Sequence, residues 1–540
     1  MKISPLITNE NAARYTFFFI IAALLFRAIL ANYTGFGIGE SYYFGGARVL
    51  ELSYVDQPPL FMWLSGLLMR VLGETTLVLR LPALLFLSGT SWILFLMTRR
   101  FFNAAAGFYA VFFLNLSGVF FLSGVWFQPD APLLFFWMAY AYCLTQIIFI
   151  DKSERGRSSQ KTFYAWWILS GLMLGFTILS KYHAIFLVMG LFLFLITAPR
   201  SRHWLFHPGI YLSLLISLLI ASPIFIWNAQ HHWISFLFQG DRALNHGVFH
   251  LHLDWFFRSF LGQALWILPW IWVPLVLQLF KAYVLRNKDP YYGFCFWMAL
   301  TPVVFFTVVT LWADLQYHFH WQAPGYMMLY ILLGKMVSDR ITQNERWHRR
   351  IRRWLIFTLV FTVGVFSILA LHMQTGFWTA YGPKVLSTRL EHRQIPYDPT
   401  MDGYDFTDLM TAFEKRGWLH DPNIAVGTTS WIMTGKIDWA LKGKKEIVSF
   451  DQDSRNYMYF FDPDKVVGKN LIIVTWDRGD FATTSIAPFC EKFTRLPDVE
   501  ITRHGVNELN LWIYECHHFH LGKNVRHDLP VYQALTHQLP

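Results

Sequence analysis

Charge is what this chain has least of: 15% of its 540 residues are Asp, Glu, Lys or Arg, while 54% are hydrophobic. A soluble domain carries nearer a quarter charged residues, so an ordinary soluble class is excluded for most of the chain. Cysteine is scarce too, with four residues, which excludes a disulfide-dense scaffold. Cys143 and Cys295 sit inside apolar runs as small fillers. Cys490 and Cys516 lie in the carboxyl-terminal tail and are free to pair if that compartment is oxidising. No phosphate-cradling glycine loop or Walker sequence is present, so ATP or nucleotide-sugar use has no support. No Ser/His/Asp elbow is visible, and no internal repeat or low-complexity tract stands out.

What is present is a series of apolar blocks, too long for core helices. About 20 apolar residues cross a bilayer, and such blocks recur near 15–33, 75–98, 104–122, 130–150, 164–180, 183–198, 209–228, 258–280, 292–312, 321–337 and 354–373. The first is not followed by a small-residue cleavage site and reads as a retained span rather than a signal peptide. Cations separate the connecting loops into two sets. One holds Arg99, Arg100, Lys152, Arg155, Arg157, Lys161, Arg200, Arg202, Lys281, Arg286, Lys288, Lys335, Arg340 and the run Arg346 to Arg353; the other holds only Arg48, Arg70, Lys181 and Arg242. The first set is therefore cytoplasmic, with the amino terminus inside and the carboxyl terminus outside. The net charge of +10 is mostly this topological signal and does not argue for nucleic acid.

Acids follow the opposite pattern. Of the 35 Asp and Glu, 21 come after residue 374. Most of the others edge outward loops, among them Glu40, Glu51, Asp56, Glu74, Asp130, Asp241, Asp254 and Asp314. Residues 1–373 thus form a membrane part and 374–540 a soluble part. In the latter, a helix is expected over Asp405 to Leu419, capped by Asp405, with a second over Ile486 to Phe493. Strands are expected at Asn423 to Val426, Glu446 to Phe450, Leu471 to Trp476 and Leu509 to Tyr514, an α/β pattern.

Carboxylates at the rim of a membrane cavity are expensive and usually functional. The first outward loop holds Glu40, Tyr42 and Tyr43, then Asp56-Gln57-Pro58-Pro59, which opens an amphipathic helix over Leu60 to Leu72. Asp130 opens the next outward helix, where it can cap, or act as a partner for Glu40. Ser180-Lys181-Tyr182-His183 puts a cation at headgroup level, for a phosphate or as a snorkelling lysine. The stretch Trp227 to Trp255 is rich in aromatics and His and reads as a lid or an interfacial belt. His318-x-His320 could take a divalent cation, but two ligands without a third are weak evidence, so no metal site is assigned and phosphate or sugar contact fits better.

These pieces resemble the bacterial members of the protein O-mannosyltransferase superfamily, the GT-C membrane glycosyltransferases that include the lipid A aminoarabinose transferase. The resemblance is carried by Glu40-Ser41-Tyr42-Tyr43, Tyr54 to Leu60, Arg80-Leu81-Pro82, Pro129 to Leu133, Ser180-Lys181-Tyr182 and Trp227-Asn228 to Gln239, in order over residues from about 35 to 240. It implies a polytopic GT-C fold of about 11 to 13 spans in a bacterial inner membrane, followed by a periplasmic α/β domain. It also implies a polyprenyl-phosphate sugar donor and inversion at the anomeric carbon, with lipid A, lipopolysaccharide or another envelope acceptor. Glu40, Asp130 and Asp56 would be catalytic, and Arg80, Lys181, Tyr42, Tyr43, Gln57, His183, Arg242, His318 and His320 would hold donor phosphate and sugar. The chain departs from the family where Gly39 replaces the acid before Glu40, where Tyr42 replaces an arginine, and where Gln57 replaces a lysine before Pro-Pro, which argues against aminoarabinose as the sugar. Protein O-glycosylation, a carrier-lipid transporter and a non-catalytic scaffold are the alternative readings.

Overall fold

The computed structural model describes residues 6–149, 160–241, 251–313, 320–378, 400, 403–451, 453–461, 463–476, 486–503 and 505–520. The chain divides into two compact units, each assembled from separated stretches. One comprises Met1–Ile29, Gln57–Phe61 and Arg80–Gly364; the other comprises Leu30–Asp56, Met62–Leu79 and Val365–Pro540.

Each apolar block is helical. Among the described residues, seven helices are long and apolar enough to cross a membrane: Asn9–Tyr33, Thr76–Phe101, Asp130–Ile148, Gln160–Ser180, Pro208–Gln230, Pro290–Leu311 and Glu345–Thr375. Leu60–Leu72, Ala104–Leu116 and Ala184–Thr197 are shorter apolar helices. Two blocks are not the single spans expected. The block at 104–122 breaks at Ser117, which is extended between Ala104–Leu116 and Gly118–Ser123. The block at 258–280 bends by 113° between Leu253–Ile267 and Pro269–Leu285. Pro269 has no N–H to continue the ladder and crowds the preceding turn, and Leu268 takes up the bend at a left-handed φ of 82°.

The first unit buries one continuous core, including Trp137, Tyr330 and Phe113. Helices Gln160–Ser180 and Pro208–Gln230 meet at small residues: a methyl at Gly171 would lie 2.7 Å from the Ser213 carbonyl oxygen, and the Ser170 and Ser213 hydroxyls bond at 2.9 Å. Close approach through small residues is how helices associate in lipid. Leu218 and Leu219 on Pro208–Gln230, Leu265 on Leu253–Ile267 and Val360 on Glu345–Thr375 are exposed large apolar residues, the composition expected of lipid-facing surface.

In the second unit the carboxyl-terminal residues form a five-stranded sheet of β1 (Ile424–Thr428), β2 (Ile447–Ser449), β3 (Asn470–Trp476), β4 (Cys490–Arg503) and β5 (Val506–Phe519), in the order β2-β1-β3-β5-β4. β1 runs parallel to β2 and β3, and β5 runs antiparallel to β3 and β4. Alternate residues face opposite cores: Val426, Ile472 and Val474 on one side, Ala425, Leu471 and Ile473 on the other. Two covered faces explain the near-continuous apolar strands.

The helix expected over Ile486 to Phe493 is corrected. Only Ala487–Phe489 forms a 3-10 turn, and Cys490 begins β4, paired along its length with β5. Cross-strand pairing overrides a weak local preference. The helix expected from Asp405 spans Thr407–Lys415, and Asp405 instead accepts bonds from the Phe36 N–H (3.2 Å) and Trp439 Nε1 (3.1 Å). A helix absent from the sequence reading, Trp431–Ala440, starts at Ser430, whose hydroxyl accepts the Met433 N–H.

Cys490 and Cys516 form a disulfide with Cα atoms 5.3 Å apart. Replacing both by Ala is expected to lower the stability of this unit by about 2–4 kcal/mol, through the restored freedom of the unfolded chain. Thermal unfolding of the purified protein with and without reductant would show this, and identical curves would contradict it.

Candidate active site

In the first unit the site is built on two helix ends. Asp130 is the first residue of Asp130–Ile148, and Lys181 directly follows Gln160–Ser180. Lys181 Nζ donates to Asp130 Oδ1 at 2.9 Å, with the two side chains 5% and 8% exposed. Pro129 precedes the helix, which has no side-chain cap there, so the Asp130 carboxylate serves Lys181 rather than capping. Its place in the first turn still suits a negative charge.

Lys181 lines a cavity of about 250 Å³ that is otherwise mostly apolar, with His183, Phe186, Phe306, Trp321 and Gln57 among its walls. The His183 ring stacks on Phe306 at 4.5 Å. Gln57 Oε1 is buried and has no hydrogen-bond partner among the described residues. A buried unsatisfied carbonyl is costly, and here it presents an acceptor to whatever occupies the cavity. Gln239 also lines it. Gln239 belongs to Ile234–Asp241, reached from Pro208–Gln230 by a tight turn through His232 and Trp233, both at positive φ. The aromatic stretch is thus partly helical, pinned where Asn228 Oδ1 accepts the Ser235 N–H at 3.0 Å.

In the second unit the stretch that follows Asn9–Tyr33, expected as a loop, is mostly a helix, Ile38–Arg48. Glu40 is 1% exposed and its Oε2 accepts the Gly37 N–H at 2.8 Å, tying off the helix start. Tyr42 is buried and donates through its hydroxyl to Asp56 Oδ1 at 3.0 Å; burial, then the Asp56 charge, hold that phenol well above its usual range. Asn456 Nδ2 donates to the same carboxylate at 3.3 Å, and Asn456 Oδ1 accepts the Val55 N–H at 2.8 Å. Tyr43 lies against Tyr42 with centroids 5.1 Å apart. This helix packs on Trp431–Ala440 where there is no side chain: a methyl at Gly435 would fall 2.6 Å from the Tyr42 nitrogen. Arg48 pairs with Asp438, which Tyr457 also bonds at 3.3 Å; burial pushes the Asp438 carboxyl up to about 6 against the opposing pull of Arg48.

Residues 56–227 match a family profile described as dolichyl-phosphate-mannose-protein mannosyltransferase. A lipid A galacturonosyltransferase, RgtD of Rhizobium johnstonii, is 25% identical over 216 residues, 39% of this chain and 43% of that protein. The chain therefore aligns with less than half the length of this curated relative. The crystal structure of ArnT from Cupriavidus metallidurans bound to undecaprenyl phosphate superposes with a TM-score of 0.64 at 14% identity, over 92% of this chain and 97% of that one. Its apo form gives 0.60 at 12% identity, over 93% and 98%. This is the GT-C fold.

The resemblance to GT-C membrane glycosyltransferases drawn from the sequence motifs holds. The expected site residues separate into two groups. Asp130, Lys181, Gln57, His183, Arg80 and His320 belong to the first unit; Glu40, Tyr42, Tyr43 and Asp56 belong to the second. Arg80 is fully buried on Thr76–Phe101 and does not line the Lys181 cavity. Burial pushes the His320 imidazole down to about 4, with Asp130 opposing and Lys181 adding to the shift. His320 is therefore neutral near pH 7 and offers a hydrogen bond rather than a charge. Arg242, His318 and Asp314 lie outside the described residues. Among the described residues no cluster of three or more His, Cys, Asp or Glu is placed to hold a metal ion.

Sequence reasoning had Gln239 only as the end of an aromatic stretch, and it missed Asn456, Trp431 and Arg455. The last three follow β1 and β2, and the carboxyl ends of parallel strands are where α/β sheets present functional groups; that signal was available once the strands were placed.

Replacing Gln57 by Leu is expected to raise the donor KM about tenfold, by removing a polar wall beside Lys181 whose buried carbonyl has no hydrogen-bond partner among the described residues. The same change removes an unsatisfied buried carbonyl and is expected to leave the melting temperature unchanged or higher. A lower melting temperature with an unchanged KM would show that Gln57 only packs.

Proposed function

We propose that this protein is an inverting glycosyltransferase that moves a sugar from a polyprenyl-phosphate donor to lipid A, lipopolysaccharide or another envelope acceptor. The observation that carries the reading is the buried Lys181–Asp130 pair at the wall of an apolar cavity in a GT-C fold. An isoprenoid chain suits apolar walls, and its phosphate needs a cation. The solved ArnT structure is titled as bound to undecaprenyl phosphate, and RgtD is named for lipid A; both support the donor and acceptor classes. The Cys490–Cys516 bond supports an oxidising compartment for the second unit. With the cationic loops it supports an inner-membrane protein whose amino terminus is cytoplasmic and whose carboxyl-terminal residues are periplasmic.

In this mechanism the acceptor hydroxyl attacks the anomeric carbon from the face opposite the phosphate. The carbon–oxygen bond to phosphate breaks, its electron pair leaves on the phosphate oxygen, and configuration inverts. Lys181 stabilises the charge that develops on the leaving phosphate, and Asp130 holds the ammonium in place. Asp130 is committed to Lys181, and Asp56 accepts bonds from Tyr42 and Asn456, so neither is assigned the proton transfer. We assign the base role to Glu40, the carboxylate in the first turn of Ile38–Arg48, whose Oε2 is positioned by the Gly37 N–H. A phosphate leaving group needs no general acid.

The test is release of undecaprenyl phosphate from a radiolabelled undecaprenyl-phosphate sugar by purified protein in liposomes containing lipid A. Label moving to lipid A supports the reading. Donor moved across the bilayer uncleaved would instead identify a carrier-lipid transporter. Label on a protein acceptor would favour protein O-glycosylation, the activity named in the matching family's description.

A further inference from the structure

The second unit carries a cluster of side chains at one edge of its sheet that the mechanism above does not use. In its sheet the chain goes from β1 to β2 on one side and then crosses to β3 on the other. Strand order therefore reverses at β1, and open α/β sheets bind ligands outside the carboxyl ends of their strands at such a reversal. The Thr429 and Thr475 hydroxyls, beyond β1 and within β3, bond at 2.7 Å and mark that edge. Trp431 follows β1, and the segment from Asp451 to Asn456 follows β2.

Arg455 stands in that second segment. Its backbone is left-handed, φ 49°, a conformation uncommon for a residue with a side chain and concentrated at functional positions. The segment is held there by the Asp453 N–H donating to Asp451 Oδ1 (3.0 Å), by the Trp431 N–H donating to Asp451 Oδ2 (2.9 Å), and by Asn456 bonding both Val55 and Asp56. The side chain is 16% exposed, and its guanidinium lies 3.8 Å over the Trp431 ring and 5.8 Å from the Tyr42 centroid. Asp453 takes its Nε edge at 3.2 Å. A planar cation clamped on a tryptophan face, with one edge pinned by a carboxylate, is oriented before any ligand arrives. Its fork geometry suits the oxygens of a phosphate. The Tyr42 and Tyr43 hydroxyls belong to the same cluster of rings.

We infer that Arg455, presented on Trp431 at the carboxyl end of the sheet, recognises a phosphate group of one of the two lipid substrates. The inference rests on the transferase reading only for which lipids are present. The phosphate belongs either to the polyprenyl donor or to the acceptor.

Binding of undecaprenyl phosphate, of bis-phosphorylated lipid A and of undecaprenol to the full chain in detergent separates these sources. R455Q is expected to weaken one of the two phosphate lipids about tenfold while undecaprenol binding is unchanged. The lipid affected names the source; both affected, at an unchanged melting temperature, means both are read. R455K keeps the charge without the fork and is expected to fall between wild type and R455Q. If R455Q melts lower than wild type, R455K carries the test with an expected loss of about threefold. Binding of both phosphate lipids within twofold of wild type in the variant that carries the test overturns the inference, as does an equal loss for undecaprenol. If wild type cleaves no donor yet its phosphate binding still depends on Arg455, the transferase reading fails and this one stands.

Discussion

Replacing Asp130 by Asn is expected to lower the rate of sugar transfer at least about a hundredfold, and Lys181→Met as much or more. Each leaves a buried charge without the partner 2.9 Å away. Breaking a buried pair from one side costs about 3–5 kcal/mol, because the remaining ion keeps its desolvation penalty. A lost rate alone would therefore be ambiguous. The double variant Asp130→Asn/Lys181→Met removes both ions, and its melting temperature is expected to recover most of what either single change loses. Its activity is expected not to recover, because the cation assigned to the leaving phosphate is gone. Recovery of both rate and melting temperature would show the pair to be structural and remove Lys181 from the chemistry. Initial rates from a labelled undecaprenyl-phosphate sugar, paired with thermal unfolding, measure both.

Glu40→Gln is expected to cost about 10²- to 10⁴-fold in kcat, the range for a lost general base. The isosteric amide separates two roles that the carboxylate combines. Its carbonyl oxygen still accepts the Gly37 N–H, so the start of Ile38–Arg48 is preserved, but it takes no proton from the acceptor. Glu40→Ala loses both, and its melting temperature is expected to drop by an amount equivalent to about 1 kcal/mol. If Glu40→Gln turns over at the wild-type rate, Glu40 only ties off its helix. The base would then have to be sought at Asp56, where Asp56→Asn keeps an acceptor for Tyr42 while losing the charge.

The membrane helices were legible because long apolar runs leave the backbone no way but a helix to satisfy its polar groups in lipid. Their interruptions were less so. Pro269 announces a break in the sequence, but a 113° bend depends on how Leu268 is accommodated. Ser117 gives no such signal; its hydroxyl pairs with the Tyr330 hydroxyl, 213 residues away. In the second unit, the strands with two buried faces were readable from their composition. Residues 490–493 were not, because only pairing with β5 makes them a strand.

The same division holds for the site. Residue type and order alone were enough to single out Glu40, Asp56, Asp130 and Lys181, since carboxylates and a lysine beside apolar spans are costly and so are informative wherever they occur. Which charge meets which was decided only by tertiary structure. Asp130 read as a helix cap or a partner for Glu40 until Lys181, 51 residues on, came within 2.9 Å, and Tyr42 and Asp56 found Asn456 some 400 residues away. Burial can be read from a run of neighbours along the chain, whereas pairing between distant side chains depends on a fold that no local stretch encodes.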